Sequence, residues 1–453
     1  MFQIAGLDIR EAFIPVFNMN KTKIGFLPAI SIVVANMVGV GVFTSLGFQL
    51  KDIQDYRVLL ALWIVGGILA LFGSFSYSEL SATFPRSGGE YHFLKLSFGP
   101  QMGFLSGWTS AIIGFAAPIA AAAHAFSIYF SSVLNTGWHP LVTASALIAF
   151  LTLIHCLKIE IGTRFQVFTT AAKVLTMALF IAAGLFVSFQ SGGQGFIHLQ
   201  KGIPLSELAS SGFWVGLIYV SYAYSGWNAT SYIIEDIHEP ERNVPKSIVS
   251  GTLIVMSLYT LINLTFLVSA PAKVLAGQPD VAEKSASYLF GSVGSLIVSS
   301  LVSFFLVSTV SSMTFVGPRV IKRIAEDYPT LTVFGQKSPQ NIPVRAILLQ
   351  STIAWLILMT STFEDIIKSA GFILCFFTTM TVIGLMILRR KMPHADWKVK
   401  TPLYPIPPLV YAGFNLWIMG YVLLDSPKNA LYGIGFLCIG SVIYLMNKDK
   451  INK

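Results

Sequence analysis

The sequence predicts an all-α polytopic membrane protein with twelve transmembrane helices. Of its 453 residues, 54% are hydrophobic and only 11% are charged, which is too little charge to cover the surface of a soluble protein of this size. Apolar runs of about 18 residues or more, the length that a bilayer-spanning helix needs, recur along the chain. They cover residues 24–46, 58–83, 100–134, 139–157, 161–189, 211–235, 246–269, 287–318, 343–361, 366–388, 405–425 and 429–447.

Two of these runs are interrupted in the middle. Ser225-Gly226-Trp227-Asn228 places poor helix formers in a row within the sixth run, and Gly39 and Gly41 lie about halfway through the first. A simple kink, or close helix packing at the glycines, is the alternative interpretation. Paired glycine-interrupted helices in two halves of a hydrophobic chain are typical of transporters built from inverted repeats. We therefore predict a five-plus-five inverted repeat with a binding site at the breaks.

The predicted organisation follows from this repeat. It comprises a cytosolic N-terminal segment 1–23, a first five-helix repeat 24–189, a second repeat 211–388, helices eleven and twelve within 405–447, and a cytosolic tail 448–453. Short loops rich in Lys and Arg stay in the cytosol, and placing both termini there leaves few basic residues outside. The outside loops then hold only Lys51, Arg57, Lys201, Lys273, Lys284, Lys368 and Lys428.

Composition and motifs exclude several function classes. The asymmetry of basic residues accounts for the formal charge of +9 without a nucleic-acid partner. Cys156, Cys375 and Cys438 lack the spacing of a metal site or a redox pair. The chain contains no HExxH, GxSxG or Walker motif. We expect no enzyme activity, no metal and no cofactor, and only the lipid bilayer and a small molecule as partners.

Four motifs resemble the amino acid–polyamine–organocation superfamily, and more closely its bacterial and L-type amino acid transporters. They follow the family's order over about 280 residues. They are Gly39-Val40-Gly41-Val42-Phe43 in the first run; Tyr77-Ser78-Glu79-Leu80 followed by Pro85-Arg86-Ser87-Gly88-Gly89-Glu90-Tyr91; Tyr222-Ala223-Tyr224-Ser225-Gly226-Trp227-Asn228 followed by Glu235-Asp236 and Pro240-Glu241-Arg242-Asn243-Val244-Pro245-Lys246-Ser247-Ile248; and Gly317-Pro318-Arg319. The resemblance implies the leucine-transporter-like fold, alternating access, location in the cell membrane and amino acids as cargo.

The resemblance also implies the substrate-binding residues, which are Val40, Gly41, Val42, Tyr222, Ala223 and Ser225. Amides of the first three would hold the substrate carboxylate, because a helix N-terminus offers free N–H donors and partial positive charge. Carbonyls of the other three would hold the ammonium, and the Tyr222 ring would also cover the substrate as a gate. Val40 departs from the Ser or Thr that is usual in this family.

The nature of the substrate side chain is less constrained. No Asp or Glu lies mid-span near either break, which favours neutral amino acids. A cationic amino acid or polyamine antiporter and a transport-like membrane sensor stay open as alternatives.

Lys173 is a charge in the middle of the fifth run. It lies about 20 Å along the helix, too deep to reach the interface easily, and a lysine there costs several kcal/mol unless it has partners. Its spacing to Gln166 and Thr170 resembles sodium-independent relatives, in which a lysine amine replaces a sodium ion between spans 1, 5 and 8. We therefore predict sodium-independent transport with Lys173 as the coupling residue. A lysine that only stabilises the fold is the alternative, and proton coupling and exchange both stay open. Candidates to face it on the eighth run are Ser308, Thr309, Ser311 and Ser312.

A covalent partner is not expected. Animal L-type relatives are linked to a single-span glycoprotein through a Cys in the loop after span 3, and in this chain that loop, residues 135–139, contains none. The resemblance therefore implies that no disulfide-linked heavy-chain subunit is present.

Overall fold

The computed structural model describes residues 23–134, 137–157, 159–190, 205–208, 210–328, 331–336, 338, 342–361, 363–425 and 427–451. Within these ranges the chain is helical without strands, apart from one isolated bridge between Ile24 and Ile237. Eight helices there are long and apolar enough to cross a membrane. An all-helical membrane protein is therefore confirmed. The count of twelve spans and the inverted repeat stay predictions.

Helices occupy every one of the predicted apolar runs. The first half contains α1 (Phe26–Met37), α2 (Val40–Gln49), α3 (Tyr56–Thr83), α4 (Glu90–Phe98), α5 (Pro100–Thr109), α6 (Ala116–Leu134), α7 (Pro140–Leu157) and α8 (Ile159–Gln190). The second half contains α9 (Leu205–Leu208), α10 (Ser211–Ala223), α11 (Pro240–Ser269), α12 (Ala272–Leu275), α13 (Val281–Asp327), α14 (Thr332–Gly335), α15 (Val344–Thr360), α16 (Phe363–Lys391), α17 (Ile406–Asp425) and α18 (Pro427–Ile451).

Both predicted interruptions are breaks in the helical backbone. The chain leaves the helix at Val38, whose ψ is 82°, passes through an extended Gly39 and re-enters it at α2. After α10 the chain turns at Gly226, whose φ of +97° lies in the region that favours glycine. It then continues in two short 3₁₀ turns, Ala229–Tyr232 and Ile234–Asp236. The helical hydrogen-bond pattern of the backbone is therefore interrupted at two places.

Two further irregularities affect long helices. A single π-helical turn, Ser110–Gly114, joins α5 to α6, and Gly291, with φ +70°, kinks α13. Helix α13 also continues to Asp327 through Pro318, beyond the apolar run that predicted its end. Buried Val320 and Ile324 on this extension explain the difference, because they pack into the core below the last apolar stretch.

The two broken helices pack against longer helices. Helix α1 packs against α8 and α11, and α10 packs against α2, α3 and α16. Helices α7 and α8 instead expose large apolar side chains on their outer faces, such as Leu153 and Phe168, each about two-thirds exposed. Exposed apolar surface on this scale is expected where lipid tails cover the protein.

Candidate functional site

The two helix breaks touch each other, backbone against backbone. A Cβ atom added to Gly41 would lie only 2.7 Å from the Ala223 Cα atom, which no side chain tolerates. Glycine is therefore required here by the approach of α10. The interpretation of Gly41 as a close-packing residue holds at this contact.

A small cavity of about 20 Å³ lies between the breaks. It is lined by five of the six predicted substrate-binding residues, namely Val40, Gly41, Tyr222, Ala223 and Ser225. Val42 is not among the lining residues, and its side chain is fully buried in the hydrophobic core. The structure brings the others together, and their role in binding stays a prediction.

The cavity offers the backbone groups that an amino acid needs. The first N–H groups of α2 have no acceptor within their own helix and carry partial positive charge. On the other side, the Tyr222 carbonyl accepts a hydrogen bond from the Ser225 amide at 3.0 Å, and the Ala223 carbonyl lies 3.2 Å from the Tyr259 hydroxyl, which has a shorter contact of 2.5 Å with the Met37 carbonyl. Each carbonyl oxygen has a second lone pair, so both can still accept from an ammonium.

A larger cavity of about 90 Å³ adjoins the small one. The two share Asn36, Pro118, Tyr222, Ser225 and Met313 in their walls. Tyr222 is 95% buried and forms part of both walls. Movement of its ring would therefore change the connection between the two cavities. This position suits the predicted gate, which stays a prediction.

Lys173 ties three elements together at the first break. Its side chain is fully buried, and its ammonium donates to the Val38 carbonyl at 2.7 Å and to the Thr309 hydroxyl oxygen at 3.1 Å. The Thr309 hydroxyl lies 2.9 Å from the same carbonyl. Among the described residues, Lys173 forms no ion pair with a carboxylate. The lysine therefore links α8, the carbonyl freed by the break, and α13.

The other hydroxyl candidates on α13 have different partners. Ser308 pairs with Thr169 at 2.9 Å, Ser311 with His155 at 2.9 Å, and Ser312 accepts from Asn36 at 2.6 Å. Thr309 is thus the residue of the four that meets Lys173. The Gln166 side chain lies outside the described residues.

Glu90 is a site residue that sequence reasoning missed. It lies in the wall of the larger cavity and is 3% exposed. Its Oε1 accepts hydrogen bonds from the Tyr77 hydroxyl at 2.7 Å and the Asn228 amide at 2.5 Å. Its Oε2 is buried and has no hydrogen-bond partner among the described residues. The expectation of a pocket without an acid is therefore wrong, because the fold brings in an acid from far along the chain.

The turn before Glu90 explains how it reaches the break. Gly88 and Gly89 both have positive φ, 124° and 54°, conformations that glycine adopts without strain. The Gly89 amide donates to the Ser231 carbonyl at 3.1 Å, which fixes this turn beneath the 3₁₀ segment of the second break. The Gly-Gly pair was the sequence signal for such a turn, but the turn's partner was not predictable.

The environment of Glu90 favours its uncharged form. Glu90 lies outside the candidate spans, and burial raises the pKa of its carboxyl, while the polar groups of Tyr232, Tyr77 and Asn228 oppose that shift. The N-terminus of α4 stabilises a carboxylate by about 0.3–1 kcal/mol. Burying an unpaired carboxylate costs several kcal/mol. Desolvation is therefore the larger effect.

Two ion pairs connect separate elements of the structure near the second break. Arg319 binds Asp236 at 2.9 Å. The fully buried Glu79 accepts from Arg389 at 2.6 Å and from the Thr401 amide at 2.7 Å. These acids hold helix ends and loops to neighbouring helices.

Known proteins resemble the chain over nearly its whole length. Residues 24–447 match the family model described as amino acid permease. The mouse b(0,+)-type amino acid transporter 1 is 28% identical over 434 residues, which make up 94% of this chain and 88% of the mouse protein. The human b(0,+)-type amino acid transporter 1 is 27% identical over 435 residues, with the same coverage. The mouse large neutral amino acids transporter small subunit 2 is 28% identical over 434 residues, or 94% of this chain and 81% of that protein.

Proposed function

Because the chain belongs to the amino acid permease family, and is therefore an amino acid transporter, we propose that it is a sodium-independent secondary transporter of neutral amino acids. It works by alternating access around the two helix breaks. The substrate carboxylate binds the amides at the start of α2, and its ammonium binds carbonyls at the end of α10. Tyr222 closes over the bound substrate.

The observation that carries sodium independence is the contact between Lys173 and Val38. A cation at this junction holds the first break in its binding shape, and the lysine ammonium, 2.7 Å from the freed carbonyl, supplies that charge within the chain. A sodium ion is then not needed at the same place. Lys173 is the coupling residue in this proposal because it contacts both the break and α13.

The preference for neutral substrates is supported by the state of Glu90. Burial raises the pKa of its carboxyl, which weakens the attraction of the larger cavity for a cationic side chain. A cationic amino acid or polyamine exchanger is the second candidate, and the observation in its favour is the unpartnered Glu90 Oε2 in the cavity wall. Competition by lysine, arginine and putrescine against a neutral substrate separates the two.

The remaining parts of the proposal concern the membrane arrangement. The chain forms twelve spans, of which the first ten are two inverted repeats, in the cell membrane with both termini in the cytosol. It acts without a disulfide-linked subunit, since the three cysteines are free thiols outside the loop after α6. Asn135 and Thr136 of that loop lie outside the described residues.

The test is uptake by the purified chain in proteoliposomes. Labelled neutral and cationic amino acids are offered in sodium and in choline buffer, with and without substrate inside and with and without a pH gradient. The proposal expects uptake of neutral amino acids at equal rates in both buffers. Uptake that rises steeply with sodium, or binding without any flux, contradicts it.

A further inference from the structure

We propose that Glu90 is a proton-binding site, which holds a proton while the second helix break packs over it and releases the proton when that break moves away. The inference deepens the proposed function and rests on it, because it gives the transport cycle a titratable group other than Lys173. The ligand is a single proton, and the site consists of the Glu90 carboxyl with Tyr77, Asn228 and Tyr232.

The first observation is the hydrogen-bond pattern of the carboxyl. Oε1 accepts from two donors, Tyr77 and Asn228, whereas Oε2 is buried with no partner among the described residues. A carboxylate has two equivalent oxygens that both need donors. A carboxylic acid with its proton on Oε2 leaves no unpaired negative charge on that oxygen, and Glu90 forms part of the wall of the larger cavity.

The second observation is that no cation in the described part of the chain faces the carboxyl. The titratable groups around it are hydroxyls, namely Tyr77 on α3, Tyr232 at the second break and Tyr411 on α17. Charged groups on the neighbouring elements are paired elsewhere or exposed. Lys95 and Arg323 bind Asp327, Arg389 binds Glu79, and Arg86 is exposed. His92 on α4 packs against Phe93 with the two rings tilted by 52°.

The third observation connects the proton to conformation. Two of the contacts that enclose Glu90 come from the second break, one from the Asn228 amide and one from the Ser231 carbonyl that holds the preceding turn. A shift of this break relative to α4 breaks both and admits water to the carboxyl. Because hydration favours the charged form, the two conformations differ in proton affinity, which is the condition for coupling.

The experiment measures amino acid exchange in proteoliposomes with equal pH on both sides, over a pH series. We expect native exchange to fall by about tenfold per pH unit once the pH exceeds the pKa of one required proton. Glu90→Gln carries an amide in place of the protonated acid, so it should retain exchange and lose this pH dependence. Glu241→Gln, at an exposed carboxylate in the first turn of α11, is the control and should titrate like the native protein.

A readout independent of transport keeps the inference separate from the proposed function. The infrared C=O band of a protonated carboxylic acid should be present in the native protein and lost in Glu90→Gln. Native protein that exchanges no amino acid refutes the proposed function, and the infrared band then decides on Glu90 alone. The inference is overturned if the band is absent from the native protein, or if Glu90→Gln keeps the native pH profile. Selective loss of cationic substrates with an unchanged pH profile also overturns it and makes Glu90 a specificity residue.

Discussion

The Lys173 ammonium lies 2.7 Å from the carbonyl oxygen of Val38, the residue at which the first helix breaks. A backbone carbonyl released from a helix needs a donor at membrane depth, because no water is available there. Lys173 supplies that donor. The same hydrogen bond gives the buried ammonium an acceptor. Each of the two groups therefore lowers the desolvation free energy of burying the other.

Replacing Lys173 by Ala should lower transport strongly. The Val38 carbonyl would lose its charged donor, which costs about 1–3 kcal/mol, or roughly tenfold to a hundredfold in rate. Initial uptake rates in proteoliposomes check this, with the exposed Lys246→Ala as the matched control. Full activity of Lys173→Ala would contradict a coupling role.

Replacing Gly41 by Ala should separate the two helix breaks. The new methyl group would lie 2.7 Å from the Ala223 Cα atom, and overpacking of this kind costs about 1–3 kcal/mol. We expect a lower melting temperature and substrate affinity reduced at least about tenfold. Gly413→Ala is the control, since its Cβ would meet nothing within 4 Å. Unchanged affinity in Gly41→Ala would place the substrate away from the breaks.

Replacing Glu79 by Gln should destabilise the fold. The buried carboxylate pairs with Arg389 and accepts from the Thr401 amide, and removing one partner of a buried pair costs about 3–5 kcal/mol. Thermal unfolding in detergent measures the effect. Asp396→Asn breaks an exposed pair with Lys398 at 3.8 Å and should change stability by less than about 1 kcal/mol. Equal melting temperatures for the two variants would refute the assignment.

Asp55 should contribute stability that depends on pH. It caps α3 and lies against Arg57, whose hydrogen bond lowers the pKa of the Asp55 carboxyl below the ordinary 3.8. The charged form is stabilised by folding, so the contribution is present above pH 3.8 and is lost as the pH falls through the lower folded pKa. Asp55→Asn keeps the cap and should lower the melting temperature at pH 7 but not below that pKa. A difference that persists in acid would point to packing instead of charge.

The position of the helices and of both breaks could be predicted because bilayer thickness and backbone hydrogen bonding act on local sequence. Gly41 and Ser225 each interrupt a pattern that is visible within one run. Hydropathy also identified Lys173 as a charge that needs partners. Its partner Thr309 was one of four candidates, and only the rotation of α13 selected it.

Glu90 shows why the rest could not be predicted. Its partner Asn228 lies 138 residues further along the chain, and no periodic pattern connects them. In the sequence Glu90 lies between the second and third apolar runs, whereas in the structure Gly88 and Gly89, both with positive φ, turn the chain back beneath the second break. Val42 stays a prediction, because sequence spacing assigns a residue to a break without saying which of its atoms faces the cavity.

The π-helical turn at Ser110–Gly114 holds one residue more than an α-helical path would. Loss of any single residue from it would leave a continuous α-helix whose two ends keep nearly their present register, so the change in backbone path would be confined to this turn. Phe115, which packs edge-on against Tyr232 at 5.3 Å, follows directly after this turn. A one-codon deletion here is therefore a change that evolution can make without breaking the span, and it would reshape the cavity wall in a single step.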